Sequence, residues 1–310
     1  MEERKNKKII AIILLLIVLL CLAAVIYIKP FGKFKLFGAE TLEITCPDEI
    51  TVLAGIPPIF DKIVTINGTE DQVNITATAT DFTKPGDYKV NLKAATENGK
   101  CSGEKTITVK VISREDALNG TEFVTGSGHP ATYKDGIFKV DGLVIANKSI
   151  TLSPEYGSGM TKEMLDNFTE MKNAAEKDGI KLFIMSSFRP YSMQKRLYDD
   201  YVTQSGKADA DTYSARPGSS EHQIGDTVDL NLVDQSFENT KEGKWLDENA
   251  AKHGFIMRYP KGKDKITGYI FEPWHFKFVG KELAEKIYQN GTWSTLEEHY
   301  GLPSNYEKQV

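Results

Sequence analysis

The chain is poor in cysteine and histidine, with three cysteines and five histidines among 310 residues. Only Cys46 and Cys101 lie beyond residue 28, too few for a structural thiolate metal centre built on three or four cysteines. An extracytoplasmic compartment would permit a disulfide between these two, although two separate thiols look the same in sequence. A surplus of positive charge is also missing. The formal net charge is −5, and the basic cluster of Arg4, Lys5, Lys7 and Lys8 is confined to the start of the chain. That balance excludes the electrostatic footprint of a nucleic-acid-binding protein. No long internal repeat or low-complexity tract occurs, which excludes solenoid arrays.

Long apolar runs are limited to one. Ile9 through Ile28 carries no charged residue, and about 20 apolar residues suffice to cross a hydrocarbon core as a helix. The cations before it predict a cytoplasmic amino terminus, a stub of residues 1–8, with everything after Lys29 outside. A cleaved signal peptide is the competing reading. The run exceeds the usual signal-peptide apolar region, and no small-x-small cleavage site follows it. Leu20 before Cys21 argues against a lipid anchor. The expected localisation is therefore the cell membrane, as a single-pass protein anchored through residues 9–28, with the bulk of the chain extracellular.

Against so little histidine, the placement of two of them stands out. Ser220-Glu221-His222-Gln223-Ile224-Gly225-Asp226-Thr227-Val228-Asp229 is answered by Glu272-Pro273-Trp274-His275. A catalytic zinc ion takes three nitrogen or carboxylate ligands and keeps a fourth position open for water, which His222, Asp229 and His275 would provide for one Zn2+. Glu272 is the candidate to accept the water's proton and pass it to a leaving amine. The other histidines fit plainer roles. His253 precedes Gly254 at an expected helix end, His129 lies in a Gly-rich run, and His299 lies in an acidic stretch.

Local patterning makes the metal set testable. Thr227 to Leu232 alternates, placing Val228, Leu230 and Leu232 on a core face and Asp229 on the opposite one. Tyr269 to Val279 reads as a second strand, in which Glu272 and His275 would face opposite sides unless the chain bulges or turns at Pro273. Lys181 to Phe188 reads as a buried strand. Arg189 follows at its end, ahead of a helix beginning near Met193 with Ser192 as N-cap. There it is placed to hold a carboxylate or a developing oxyanion.

Four motifs, in order, carry a resemblance: Ser186 to Gln194 (SSFRPYSMQ), Tyr213 to Gln223 (YSARPGSSEHQ), Gly254 to Lys263 (GFIMRYPKGK) and Glu272 to His275 (EPWH). From about Val140 to Leu302 the chain resembles the VanY-type D-alanyl-D-alanine carboxypeptidases of peptidase family M15, subfamily B. The resemblance implies zinc on His222, Asp229 and His275, Glu272 as general base and Arg189 polarising the substrate. It also implies that Ser220, Gln194, Tyr213 and Trp274 contact the substrate, a peptidoglycan stem peptide. One departure is Asp226-Thr227, where relatives commonly carry small or apolar residues. Asp226 would either add charge beside the metal or point into solvent, and solvent is the expectation.

Residues 40–112 alternate as a small β-domain, with strands expected at Thr41 to Ile44, Val73 to Thr78, Tyr88 to Lys93 and Lys105 to Val111. Gly86-Asp87-Tyr88-Lys89-Val90 resembles the motif of bacterial immunoglobulin-like surface modules; a spacer that lifts the enzyme off the membrane is expected in preference to a ligand-binding module. Ser113 to Gly136 reads as a flexible linker. In residues 137–302, Thr161 is expected to open a helix with Met164, Phe168, Met171 and Ala175 on one face. Further helices are expected at Trp245 to His253 and Lys281 to Asn290. The fold class is α+β: a zinc peptidase domain of the M15 or hedgehog-like type behind an all-β module and one transmembrane helix. The expected function is removal of the terminal D-alanine from stem pentapeptides, which would blunt glycopeptides such as vancomycin that bind D-Ala-D-Ala. The alternatives are an LD-carboxypeptidase acting on tetrapeptides and a non-catalytic wall-binding protein.

Overall fold

The computed structural model describes residues 40–79, 81–289, 291–308 and 310. The expected span 9–28 lies outside them. Among the described residues no helix is long and apolar enough to cross a membrane. Residues Thr41–Val310 form one compact unit.

The first part of that unit is β-structure, as the alternation predicts, with β1 (Glu43–Thr45), β2 (Glu49–Leu53), β3 (Thr65–Asn67), β4 (Val73–Ala77), β5 (Gly86–Thr96) and β6 (Cys101–Ile112). β1 pairs with β3, while β5 and β6 form a long antiparallel hairpin, and β2 lies parallel to β6. The alternating faces bury Leu42, Ile44, Val52, Val90, Leu92, Ile107 and Val109 in one cluster. Cys46 is half-buried and Cys101 buried.

The stretch from Ser113 to Gly136 corrects the linker expectation. Ser113 and Asp116 close a capping box on α1 (Arg114–Leu118), followed by β7 (Phe123–Val124) and β8 (Pro130–Lys134). With β9 (Ile137–Val140) and β10 (Leu143–Val144), these strands extend the same sheet in the order β10-β9-β8-β7-β2-β6-β5-β4. Its many polar and glycine residues suggest a loop. Yet Phe123, Ala131, Tyr133 and Phe138 are buried in the core that also holds the helices. Gly126 shows how tight the seam is, since a Cβ there would lie 2.6 Å from the Gly301 carbonyl and 2.8 Å from that of Pro57.

The remaining residues pack helices on a short antiparallel sheet. α2 (Lys162–Lys177) is capped by Thr161 and buries Met164, Phe168, Met171 and Ala175, the predicted face. Burying each of the two methionines and the phenylalanine contributes roughly 1.5–3 kcal/mol, and the Ala175 methyl about 0.8 kcal/mol. Next come β11 (Ile184–Ser186), α3 (Tyr191–Ser205), α4 (Lys207–Tyr213), β12 (Thr227–Leu230), α5 (Lys241–Asn249), β13 (Phe255–Met257), β14 (His275–Phe278), α6 (Lys281–Ile287) and α7 (Leu296–Tyr300). The sheet order is β11-β12-β14-β13.

Several boundaries differ from expectation. β11 is a sheet edge rather than a buried strand, with Phe183 and Met185 exposed. α3 begins two residues early, N-capped by Pro190 and not Ser192. β12 stops at Leu230 because Asn231 takes a left-handed φ of 54°, a conformation asparagine tolerates. Its side chain donates to the Lys181 carbonyl and accepts from the Phe183 amide, tying β12 to β11. Leu232, expected in the core, is therefore 44% exposed.

Candidate metal centre and active site

β12 is covered by strands on both sides, and all four of its residues are buried. Val228 and Leu230 enter the core, so Asp229 points to the other face, as the alternation requires. Directly across the ladder from Asp229 stands His275, the first residue of β14. The demand that the chain turn at Pro273 is met. The His275 amide donates to the Glu272 carbonyl at 3.2 Å, closing a turn over Pro273 and Trp274. The strand expected from Tyr269 is therefore only the four residues of β14, and Glu272 and His275 share one side, with Oε2 3.5 Å from Nδ1.

His222 arrives on a single 3-10 turn, Glu221–Gln223. Its Nδ1 lies 2.7 Å from the Ser187 carbonyl, which can only accept, so Nδ1 carries the proton and Nε2 is left as a ligand atom. Gly225 is needed just beyond, with φ at +89° and a would-be Cβ 2.0 Å from the Gly159 carbonyl, a backbone approach that only glycine allows.

The three side chains converge. His222 Nε2 is 3.2 Å from one carboxylate oxygen of Asp229, and His275 Nδ1 is 3.1 Å from the other. Ligand atoms of all three lie within 4.8 Å of one another, and all three residues are buried. Nitrogen and oxygen ligands 2.0–2.1 Å from a tetrahedral zinc would sit roughly 3.3 Å apart, so the two imidazole–carboxylate spacings fit. The electrostatics fit as well. Burial pulls the His275 imidazolium down, but the neighbouring carboxylates of Asp229 and Glu221 outweigh it and push this pKa up to about 9. Burial likewise opposes the Asp229 charge, yet His222 and His275 hold its carboxyl well below the usual range. The site favours positive charge, which a divalent cation supplies. The buried Asp229 Oδ1 has no hydrogen-bond partner among the described residues.

Glu272 is buried beside this set. Burial, with the Asp229 charge adding to it, raises its carboxyl to about 7 against the pull of His275 and Arg189. A carboxylate poised near neutrality can both take and return a proton. Arg189 stands on the other side, Nη2 donating to Ser186 Oγ at 3.0 Å and lying 4.0 Å from Asp229.

The structure brings the remaining expected substrate residues to the same cleft of about 130 Å³, lined by Gln194, Tyr213, Ser220, Tyr259, Tyr269 and Trp274. Gln194 has both ends engaged, its Oε1 accepting from Arg189 at 2.7 Å and its Nε2 donating to the Ala215 carbonyl at 2.6 Å. It is better placed to aim Arg189 than to touch substrate. Asp226 is a correction, because it does not face solvent. It is 7% exposed and paired at 2.7 Å with Lys277, which is wholly buried. Lys277 lies opposite Thr227 in the ladder, a cross-strand relation invisible in sequence. Sequence reasoning also missed a buried cluster of Glu221, Arg258 and Glu297. The one signal for it was an unassigned glutamate beside His222.

Two imidazoles and a carboxylate gathered around one point, with a separate acid and an arginine at the same cleft, define a metal-dependent hydrolase. Residues 157–281 match the family described as VanY, D-alanyl-D-alanine carboxypeptidase. YodJ of Bacillus subtilis, which carries a carboxypeptidase name, is 33% identical over 217 residues, covering 67% of this chain and 79% of YodJ. A D-alanyl-D-alanine carboxypeptidase of Enterococcus faecalis is 39% identical over 131 residues, 39% of this chain, which spans about half (49%) of that enzyme. Among solved structures, the L,D-carboxypeptidase DacB of Streptococcus pneumoniae superimposes with a TM-score of 0.51 at 39% identity, covering 57% of this chain and 99% of DacB. The chain belongs to the VanY carboxypeptidase family of zinc peptidases.

Proposed function

We propose that this chain is a zinc D-alanyl-D-alanine carboxypeptidase that removes the terminal D-alanine from peptidoglycan stem pentapeptides. The observation that carries the reading is Asp229 set between His222 and His275, with Glu272 3.5 Å from His275. His222, Asp229 and His275 would hold one zinc ion, which when bound lowers the pKa of a water from 15.7 toward about 7. Glu272 accepts the proton of the attacking water and delivers it to the departing D-alanine amine. Arg189, aimed by Gln194 and Ser186, holds the peptide's terminal carboxylate or the oxyanion that develops at the scissile carbonyl. Ser220, Tyr213 and Trp274 shape the pocket around the terminal residues.

The likeness to the L,D-carboxypeptidase DacB favours a second reading, cleavage of stem tetrapeptides by the same machinery. Incubating the zinc-loaded protein with pentapeptide and tetrapeptide separately, with products followed by mass, decides between them. Loss of one D-alanine from the pentapeptide alone supports the first reading, and cleavage of the tetrapeptide alone the second. Folded, zinc-loaded protein that cuts neither would refute both.

The location belongs to the same proposal. The uncharged run 9–28 behind Arg4, Lys5, Lys7 and Lys8 supports a single membrane anchor with the enzyme outside the cytoplasmic membrane. The paired β-layers with the apolar cluster of Leu42, Ile44, Val90 and Leu92 between them support an immunoglobulin-like spacer. Protease protection of the segment before residue 9 in intact cells, together with digestion of the remainder, tests the orientation. Trimming pentapeptide would deplete the D-Ala-D-Ala that vancomycin binds.

A further inference from the structure

Glu221 is next to His222 in sequence, but its carboxylate serves the other histidine. It is 1% exposed. Its Oε1 accepts from Arg258 Nε at 2.8 Å, and its Oε2 lies 3.7 Å from Nε2 of His275. Oε2 of Glu221 and Nε2 of His275 are both buried and have no hydrogen-bond partner among the described residues. His275 turns Nδ1 toward Asp229 at 3.1 Å. A neutral imidazole that offers the Nδ1 lone pair to a cation carries its proton on Nε2, and the Glu221 carboxylate faces that proton. An approach of about 0.5 Å or more brings the pair within hydrogen-bond distance, and a buried donor left without a partner is costly.

The carboxylate cannot drift. Arg258, itself 1% exposed, is gripped from behind by two bonds to Glu297 at 2.7 and 2.8 Å, and its amide donates to the His275 carbonyl at 3.1 Å. Lys277 adds a second cation 4.0 Å from Glu221. We propose that Glu221 is a positioning residue: it accepts the Nε2 proton of His275 and thereby fixes the ring with Nδ1 directed at the metal. Glu221 has this role only if the zinc reading above holds. Carboxylates behind ligating histidines orient the ring and raise its basicity.

Zinc affinity of the metal-stripped full chain, measured by competition with a chromogenic chelator, tests the role without recourse to activity. Glu221→Gln should bind zinc about 10- to 100-fold more weakly than wild type. Met171→Ala, a core truncation remote from the site, should lower the melting temperature yet keep the affinity within about threefold, since it leaves every ligand in place. Should Glu221→Gln not fold, 15N-histidine NMR of the zinc-loaded wild type takes its place. The His275 Nε2 proton should then resonate downfield and resist exchange with solvent. Wild-type zinc affinity in a folded Glu221→Gln, equal losses in both variants, or a freely exchanging Nε2 proton overturns the proposal while leaving the zinc reading intact. Wild-type protein that takes up no zinc would instead remove the zinc reading and this role with it.

Discussion

Asp229 and His275 are cross-strand partners in an antiparallel ladder, and the same pairing that joins β12 to β14 puts His275 Nδ1 3.1 Å from the Asp229 carboxylate. Two of the three proposed metal ligands are thus set by sheet register. A one-residue slip of either strand would turn its own residue away from the cleft. His222 is added by the short turn before β12, whose backbone is tied to Arg189 by the Arg189 amide donating to the His222 carbonyl at 3.0 Å.

Removing Glu272 should separate metal binding from chemistry. Glu272→Ala is expected to retain zinc and lose turnover by about 10²- to 10⁴-fold, the usual worth of a positioned general base. Zinc content by atomic absorption and D-alanine release check it. Near wild-type turnover would sink the assignment.

His222→Ala should lose the metal itself, and with it the stabilisation that a ligand binding only the folded state confers. A thermal melt that responds to zinc in the wild type and not in the variant is the expected pair of results. Normal zinc content in His222→Ala would refute its role as a ligand.

Burial, reinforced by Asp229, raises the Glu272 carboxyl to about 7. A general base works only when ionised, so activity is lost as pH falls through this pKa and is present above it. Positive charge from a bound ion shifts the midpoint downward. The acid limb of kcat/KM should therefore fall between the ordinary 4.5 and about 7. A profile flat across that interval would exclude Glu272 as the titrating base.

The Asp226 and Lys277 pair is buried, and breaking one partner strands a charge. Lys277→Met alone should cost about 3–5 kcal/mol in urea denaturation, whereas Asp226→Ala with Lys277→Met should recover most of it. Additive losses in the double variant would contradict a mutual pairing.

Gly126→Ala distinguishes a packed seam from a flexible linker. In a linker the change is neutral or slightly stabilising. Where a Cβ meets two carbonyl oxygens at 2.6 and 2.8 Å, it should cost about 1–3 kcal/mol of overpacking. Unchanged stability would restore the linker reading.

Some of this protein was determined by sequence alone, because the information is local. The apolar spacing of Met164, Phe168, Met171 and Ala175 dictates α2, and Thr161 caps it. The alternation through Thr227 to Leu230 aims Asp229 away from the core. The short spacing of Glu272 and His275 around Pro273 demanded a turn, and a turn is there. Other features required pairing between distant segments, which no local pattern encodes. The polar run 113–136 becomes ordered because β7 finds β2, some 70 residues away, and β8 then pairs with β7. Asp226 is drawn inside by Lys277, 51 positions later. Glu221 gains its role from Arg258 and His275, and Arg258 from Glu297. Charge is read as solvent-facing in a sequence because an unpaired ion is costly to bury, and only the tertiary structure shows where a partner removes that cost.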